Sequence, residues 1–209
     1  MTIIFGPLSD PLTSNEWYTP AYLAHAARRT MGEIDLDPAT SEFAQKTIKA
    51  KQFFTKEDNG LNRFWHGKVW LNPPYREITP WIMKLIDEYF YGRTTEAILL
   101  VNAYTESRWF QHLWQFPLCF TRGRINFYNP TKGQSGPCSS SAIAYMGPNI
   151  DRFADHFRRY GRIMVSYDGE LVQSMKTKLN GKGNSRITPP KANLVVQPRS
   201  KKRVIGMGH

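Results

Sequence analysis

The sequence predicts an α/β fold, a mostly parallel doubly wound sheet whose later strands run antiparallel. Three observations lead there. Short apolar runs alternate with amphipathic stretches from about residue 16 to residue 172, the pattern of strand–helix–strand units. The run Ala97–Asn102 (Ala-Ile-Leu-Leu-Val-Asn) is apolar without alternation, as a strand buried on both faces should be. The connections are short, which favours helices packed back onto a single sheet.

Each element follows from local signals. Residues 1–15 read as a loose leader. Thr19-Pro20 supplies an N-cap and a first-turn proline for a helix from Ala21 to about Arg29, closed near Gly32. Ile34–Asp37 is a short strand stopped by Pro38, Ser41–Ala50 a helix, and Lys51–Thr55 a second strand. Asp58-Asn59-Gly60 is a turn, and Lys68–Leu71 a third strand. Thr79-Pro80 caps a helix over Trp81–Tyr91, with Trp81, Leu85 and Glu88-Tyr89 at helical spacing. After strand Ala97–Asn102 come a helix over Glu106–Gln115, strands Leu118–Thr121 and Ile125–Tyr128, and a loop, Asn129–Pro137. Strand Ser141–Met146, helix Asp151–Tyr160 and strand Arg162–Tyr167 complete the folded part.

Composition narrows the class. With 209 residues and 41% hydrophobic content, the chain can bury one substantial core. No apolar stretch reaches about 18 residues, and no basic-then-apolar leader opens the chain, so a membrane partner and secretion are not expected and a cytoplasmic protein is. Cys119 and Cys138 form no Cys-x-x-Cys pair and the five histidines show no ligand spacing, so neither a disulfide framework nor a metal site is expected. The net charge is +11, yet residues 173–209 hold nine Lys or Arg and no acid, leaving only +2 for residues 1–172. That tail, rich in Gly, Ser, Asn and Pro, is expected to be disordered, serving as a solubilising segment or as an arm that retains polyanions without reading sequence.

The tetrapeptide Asn72-Pro73-Pro74-Tyr75, at the end of Val69-Trp70-Leu71, carries the chemistry. The Asn72 amide oxygen and the Pro73 carbonyl can each accept one N–H of a planar amino group. The prolines fix the backbone that aims the carbonyl, and Tyr75 offers a flat face for a heterocycle. An amine conjugated to a ring is a poor nucleophile. Two in-line acceptors draw its nitrogen towards a pyramidal shape and aim its lone pair at an electrophile, as N-methylation requires. Asp37, Asp58, Asn72 and Asn102 all fall at or just after strand ends, where ligands sit in such sheets.

Several motifs together resemble a known family. They are Glu16-Trp17-Tyr18-Thr19-Pro20, Asp35-Leu36-Asp37-Pro38-Ala39-Thr40, Phe53–Asp58, Val69–Tyr75 with Pro80-Trp81, Trp109-Phe110 and Arg124–Phe127. In order and spacing the chain is similar, from about Glu16 to Gly147, to the phage-type (Dam-like) DNA N6-adenine methyltransferases. The resemblance implies a Rossmann-like methyltransferase fold, S-adenosylmethionine as cofactor and adenine N6 in double-stranded DNA as target. It assigns Asn72, Pro73, Pro74 and Tyr75 to holding the flipped adenine. It places Asp37 and Pro38 against the methionine or ribose part of the cofactor, Asp58 against its adenine amine, and Thr19-Pro20 in the methionine pocket, with Asn72 bordering both ligands. The chain departs from the wider methyltransferase pattern in lacking a Phe-x-Gly-x-Gly loop, with Asp-Pro-Ala in its place.

The basic, amide-bearing and aromatic stretch Arg122–Tyr128, followed by the loop bearing Lys132, suits base-edge and backbone contacts. Arg122, Arg124, Asn126 and Lys132, with Tyr75, are the expected nucleic-acid contacts. At this level an RNA base, a protein glutamine amide, or a non-catalytic nucleic-acid-binding role stays open, and no motif speaks to oligomeric state.

Overall fold

A computed structural model describes residues 17–129, 133–135 and 139–166. The expected leader, the basic tail, Lys132, Cys138 and Tyr167 lie outside the described residues. The chain opens with α1 (Ala21–Met31), β1 (Leu36–Asp37), α2 (Glu42–Ile48) and β2 (Gln52–Phe53). A 3-10 turn at Gly60–Asn62 precedes β3 (Gly67–Leu71), and another at Tyr75–Glu77 leads into α3 (Ile78–Phe90) and β4 (Thr94–Asn102). Then come α4 (Arg108–Gln111), β5 (Leu118–Thr121), β6 (Phe127–Asn129), β7 (Gly133–Ser135), β8 (Ser141–Met146), α5 (Ile150–Phe157) and β9 (Gly161–Met164).

Seven strands form one sheet in the order β2-β1-β3-β4-β8-β5-β9. The first four are mutually parallel, and the β4–β8, β8–β5 and β5–β9 pairs are antiparallel. The parallel-then-antiparallel sheet expected from the sequence is the one observed. Its central strand explains the unbroken apolar run. Ala97, Leu99 and Val101 enter a core shared with α3 and α4, while Ile98 and Leu100 enter a second core shared with α1, α2 and α5. A strand covered by helices on both faces has no solvent side on which a polar residue would be favoured. Cys119 is buried in the second core, and burial pushes its thiol up to about 12, so it stays protonated and inert.

Four expectations shift. Residues 127–129 do form a strand, but it pairs with β7 in a separate two-stranded ribbon, and β7 falls within the stretch expected to be a loop. The helix expected over residues 106–115 shrinks to α4. Its continuation is a string of turns, with Leu113 N donating to Phe110 O at 2.8 Å and Phe116 N to Leu113 O at 3.0 Å. These i→i+3 bonds turn Phe110, Leu113 and Phe116 into the core before Pro117. α3 starts at Ile78 rather than at the Thr79-Pro80 cap; Pro80 is tolerated because first-turn N–H groups have no helical partner. Thr19 does not cap α1 with its side chain; the first turn begins at Pro20, with no side-chain cap bond.

The loops at the carboxyl ends of β1 and β2 brace each other. Gly60 lies so close to the loop after β1 that an added Cβ would stand 2.0 Å from the Pro38 carbonyl oxygen. The Gly60 carbonyl accepts from Trp65 Nε1 at 2.8 Å, and the Trp65 and Trp81 rings stack at 6.0 Å. A side chain at residue 60 must therefore displace backbone, and Gly60→Ala is expected to cost about 1–3 kcal/mol of stability. Urea unfolding of the two proteins measures it, with an unchanged midpoint as the contrary result.

Candidate active site

β3 delivers Asn72 to the carboxyl edge of the sheet on a buried base of Val69, Trp70 and Leu71. The Asn72 amide is held at one end only. Its Nδ2 donates to the Thr19 hydroxyl oxygen at 3.3 Å, while its Oδ1 is buried and accepts from no described residue. A buried acceptor without a donor costs roughly 1–3 kcal/mol, so one kept at a strand end points to a donor arriving from outside the chain. Pro73 is buried beside it and Pro74 is extended (φ −63, ψ 124), which sets the entry into the Tyr75–Glu77 turn. The Tyr75 side chain is 42% exposed, and burial of its hydroxyl, followed by the neighbouring Tyr104, pushes its pKa up to about 12. It stays neutral at any physiological pH. Tyr104 in turn bonds Ser139 Oγ at 2.6 Å, so an aromatic pair flanks the amide on the β4 side.

Asp37 ends β1 and is fully buried. Its carboxyl pKa rises to about 7, chiefly through loss of hydration and against several hydrogen bonds that favour the charged form. Thr40 and the Ala39 N–H contribute first, and Gln45, which the sequence reading missed, adds a third bond. Its Nε2 donates to Asp37 Oδ2 at 2.7 Å and to Thr40 Oγ1 at 3.1 Å, and its Oε1 accepts from Ala50 N at 2.9 Å. One amide thus ties the loop after β1 to the end of α2, and no sequence signal singles out such a residue on a helix. Asp58 spends Oδ2 on its own turn, accepting from Thr55 N at 2.9 Å and Thr55 Oγ1 at 2.8 Å. Those bonds hold its carboxyl below the usual carboxylate range, and Oδ1 accepts from no described residue.

A cavity of about 490 Å³ opens beside this edge, in the range that takes a nucleoside-sized ligand. Thr19 and Pro20, assigned to the cofactor, and Arg124 and Asn126, assigned to nucleic acid, line this one space, together with Phe43 and Tyr128. Arg122 stands exposed two residues before Arg124, and Lys132 is outside the described residues. The two walls are joined by an antiparallel bridge, Tyr18 N to Tyr128 O at 2.7 Å and Tyr128 N to Tyr18 O at 3.0 Å. Phe43 wedges between their rings, 4.7 Å from Tyr18 and 6.4 Å from Tyr128.

Comparisons with known proteins give the family. Residues 10–148 match the family described as DNA N-6-adenine-methyltransferase (Dam). The chain belongs to this family. Among Dam relatives, the DNA N-6-adenine-methyltransferase of Haemophilus phage HP1 (strain HP1c1) is 29% identical over 123 residues, covering 56% of this chain and 69% of that protein. The DNA N-6-adenine-methyltransferase of Escherichia phage T1 is 32% identical over 97 residues, covering 45% of this chain and 38% of that protein. Among solved structures, a dimethyladenosine transferase from Plasmodium falciparum aligns with a TM-score of 0.41 at 12% identity, covering 66% of this chain and 65% of that one. The Dam match takes in Thr19, Asp37, Asp58, Asn72 and Arg124.

The buried carboxyl gives a pH signature. Asp37 has a folded pKa of about 7, above the ordinary 3.8, so its contribution to stability is fully present below pH about 4 and is lost as pH rises through 7. Asp37→Asn is therefore expected to gain melting temperature over the unsubstituted chain progressively between pH 4 and 7, then level off. Thermal melts of both proteins across pH 4–9 test this; a difference that does not change with pH contradicts it.

Proposed function

We propose that this chain is a site-specific DNA methyltransferase, phage or prophage encoded, that transfers a methyl group from S-adenosylmethionine to adenine N6 in double-stranded DNA. The observation that carries the reading is the Asn72 amide, anchored through Nδ2 on Thr19 with Oδ1 buried and without a donor among the described residues. Membership of the Dam family supports the same chemistry.

The residues present fit the cofactor. Thr19 and Pro20, lining the cavity, would hold its methionine end; Asp37 and Pro38 would shape the loop beneath it; and Asp58 Oδ1 would accept from its adenine amine. S-adenosylmethionine, when bound, supplies an electrophilic methyl group on a sulfonium. The protein's own part is positioning. N6 in a duplex is paired and stacked, so the target adenine must leave the helix before it can react. Asn72 Oδ1 and the Pro73 carbonyl then accept the two N–H groups of the amine, and the Tyr75 ring stacks on the base. Tyr75 stays protonated and Asn72 is neutral, so neither removes the proton, which passes to solvent once the methylated amine is cationic. Two fixed acceptors aimed at the reacting nitrogen lower the barrier without having to reorganise during the reaction.

Two substitutions separate aim from binding. Asn72→Ala is expected to lower turnover by roughly two to four orders of magnitude while S-adenosylmethionine still raises the melting temperature. Thr19→Val leaves the Asn72 amide without its anchor and is expected to lower turnover about tenfold, the worth of one neutral hydrogen bond. The decisive measurement is to incubate unmethylated duplex DNA with labelled S-adenosylmethionine, digest it to nucleosides and identify the labelled one by mass. N6-methyladenine is the expected product. Label on another base, or none on DNA but some on RNA or protein, overturns the reading.

A further inference from the structure

A second cavity, of about 300 Å³, adjoins the first and shares Tyr22 and Arg124 with it, and Arg159 and Tyr160 are among its other lining residues. Tyr22, in the first turn of α1, and Tyr160, after α5, face each other with ring centroids 5.0 Å apart. Arg159 lies over the Tyr160 ring at 5.5 Å, which steadies a long side chain that is otherwise exposed. The two chain turns that meet here are tied together, Arg122 N donating to Tyr160 O at 3.0 Å. In the β5–β9 register Phe120 stands opposite Arg162.

Arg122, Arg124, Arg158 and Arg159, all exposed, lie on these turns at one rim, whereas Arg162, exposed opposite Phe120, lies towards the other face of the sheet. No Asp or Glu occurs in 117–129 or 156–166. Arg158 pairs with Asp155 at 3.0 Å; among the described residues the other four enter no ion pair. Crowding like charges without counter-charges gains the fold nothing. β5 runs parallel to β3 and β4 through its antiparallel pairing with β8, so its carboxyl end lies on the same edge of the sheet as Asn72. Guanidinium forks match phosphate oxygens in pairs, and the tilted Tyr22–Tyr160 pair with Arg159 over it holds one such fork in place.

We propose that this rim is a phosphodiester-binding site, in which Arg124 and Arg159, with Arg122 beside them, grip the DNA backbone next to the target nucleotide. The proposal rests on the reading of DNA as substrate and adds where the duplex lies. It crosses the β5–β9 side of the sheet, away from the Asp37 side. Contacts of this kind fix register on the duplex and carry no sequence information themselves.

The test uses the full chain and a fluorescent duplex, with binding followed by anisotropy between about 50 and 200 mM salt. Arg159→Gln and Arg124→Gln are each expected to weaken binding several-fold and make the log K against log salt slope shallower by about one. Arg159→Lys, which keeps the charge, should restore most of the slope, and the melting-temperature rise with S-adenosylmethionine should be unchanged in all three. Glutamine variants with the unsubstituted slope overturn the rim while leaving the proposed function intact. Slope changes on single-stranded RNA of the same sequence but not on the duplex overturn DNA as the occupant. An unsubstituted chain that binds no duplex overturns the proposed function itself, and the rim with it.

Discussion

The hydrogen bond from Asn72 Nδ2 to the Thr19 hydroxyl is the constraint on which the site depends. A primary amide has a donor end and an acceptor end, and fixing one fixes the direction of the other. Thr19 takes the donor end, so Oδ1 is left buried with no partner among the described residues. The rest of the fold keeps this arrangement rigid. β3 carries Asn72 at the end of a buried strand, and α1 begins just after Thr19, on a stretch that is itself bridged to residue 128.

The two halves of the sheet divide the work around that bond. The parallel half, β2-β1-β3-β4, ends in the loops bearing Asp37, Asp58 and Asn72. There Gln45 and the close approach of Gly60 to Pro38 hold the loops in place. The antiparallel half, β8-β5-β9, ends in arginine-bearing turns. Acidic and amide groups therefore gather at one side of the edge and basic and aromatic groups at the other, with Asn72 between them. This polarity suits a cationic cofactor on one flank and a polyanion on the other.

Much of this was legible in the sequence because hydrophobic pattern dominates it. The run 97–102 could only be a strand covered on both faces, and an Asn-Pro-Pro-Tyr after a buried strand could only project from its end. Other features failed to show for physical reasons. Thr19-Pro20 has the composition of a helix cap, and nothing local reveals that the hydroxyl bonds a residue 53 positions away. Gln45 looks like any polar residue on a short helix until the fold brings Asp37 and Ala50 to it. The Asp58 turn was foreseen from Asp-Asn-Gly, and Asn59 does take a positive φ of 51°. The return strand at Gly133–Ser135 was hidden because three residues give too short a period to read.

The bridge between Tyr18 and Tyr128 joins two segments far apart in sequence but central to the cavity. Tyr18 is one peptide bond from Thr19, and Tyr128 closes the Arg124–Asn126 wall. The segment that bonds the Asn72 amide and the segment that carries Arg124 and Asn126 are therefore tied by two backbone hydrogen bonds. A substitution that broke this bridge would disturb both walls of the cavity at once, although neither residue's side chain need touch a ligand.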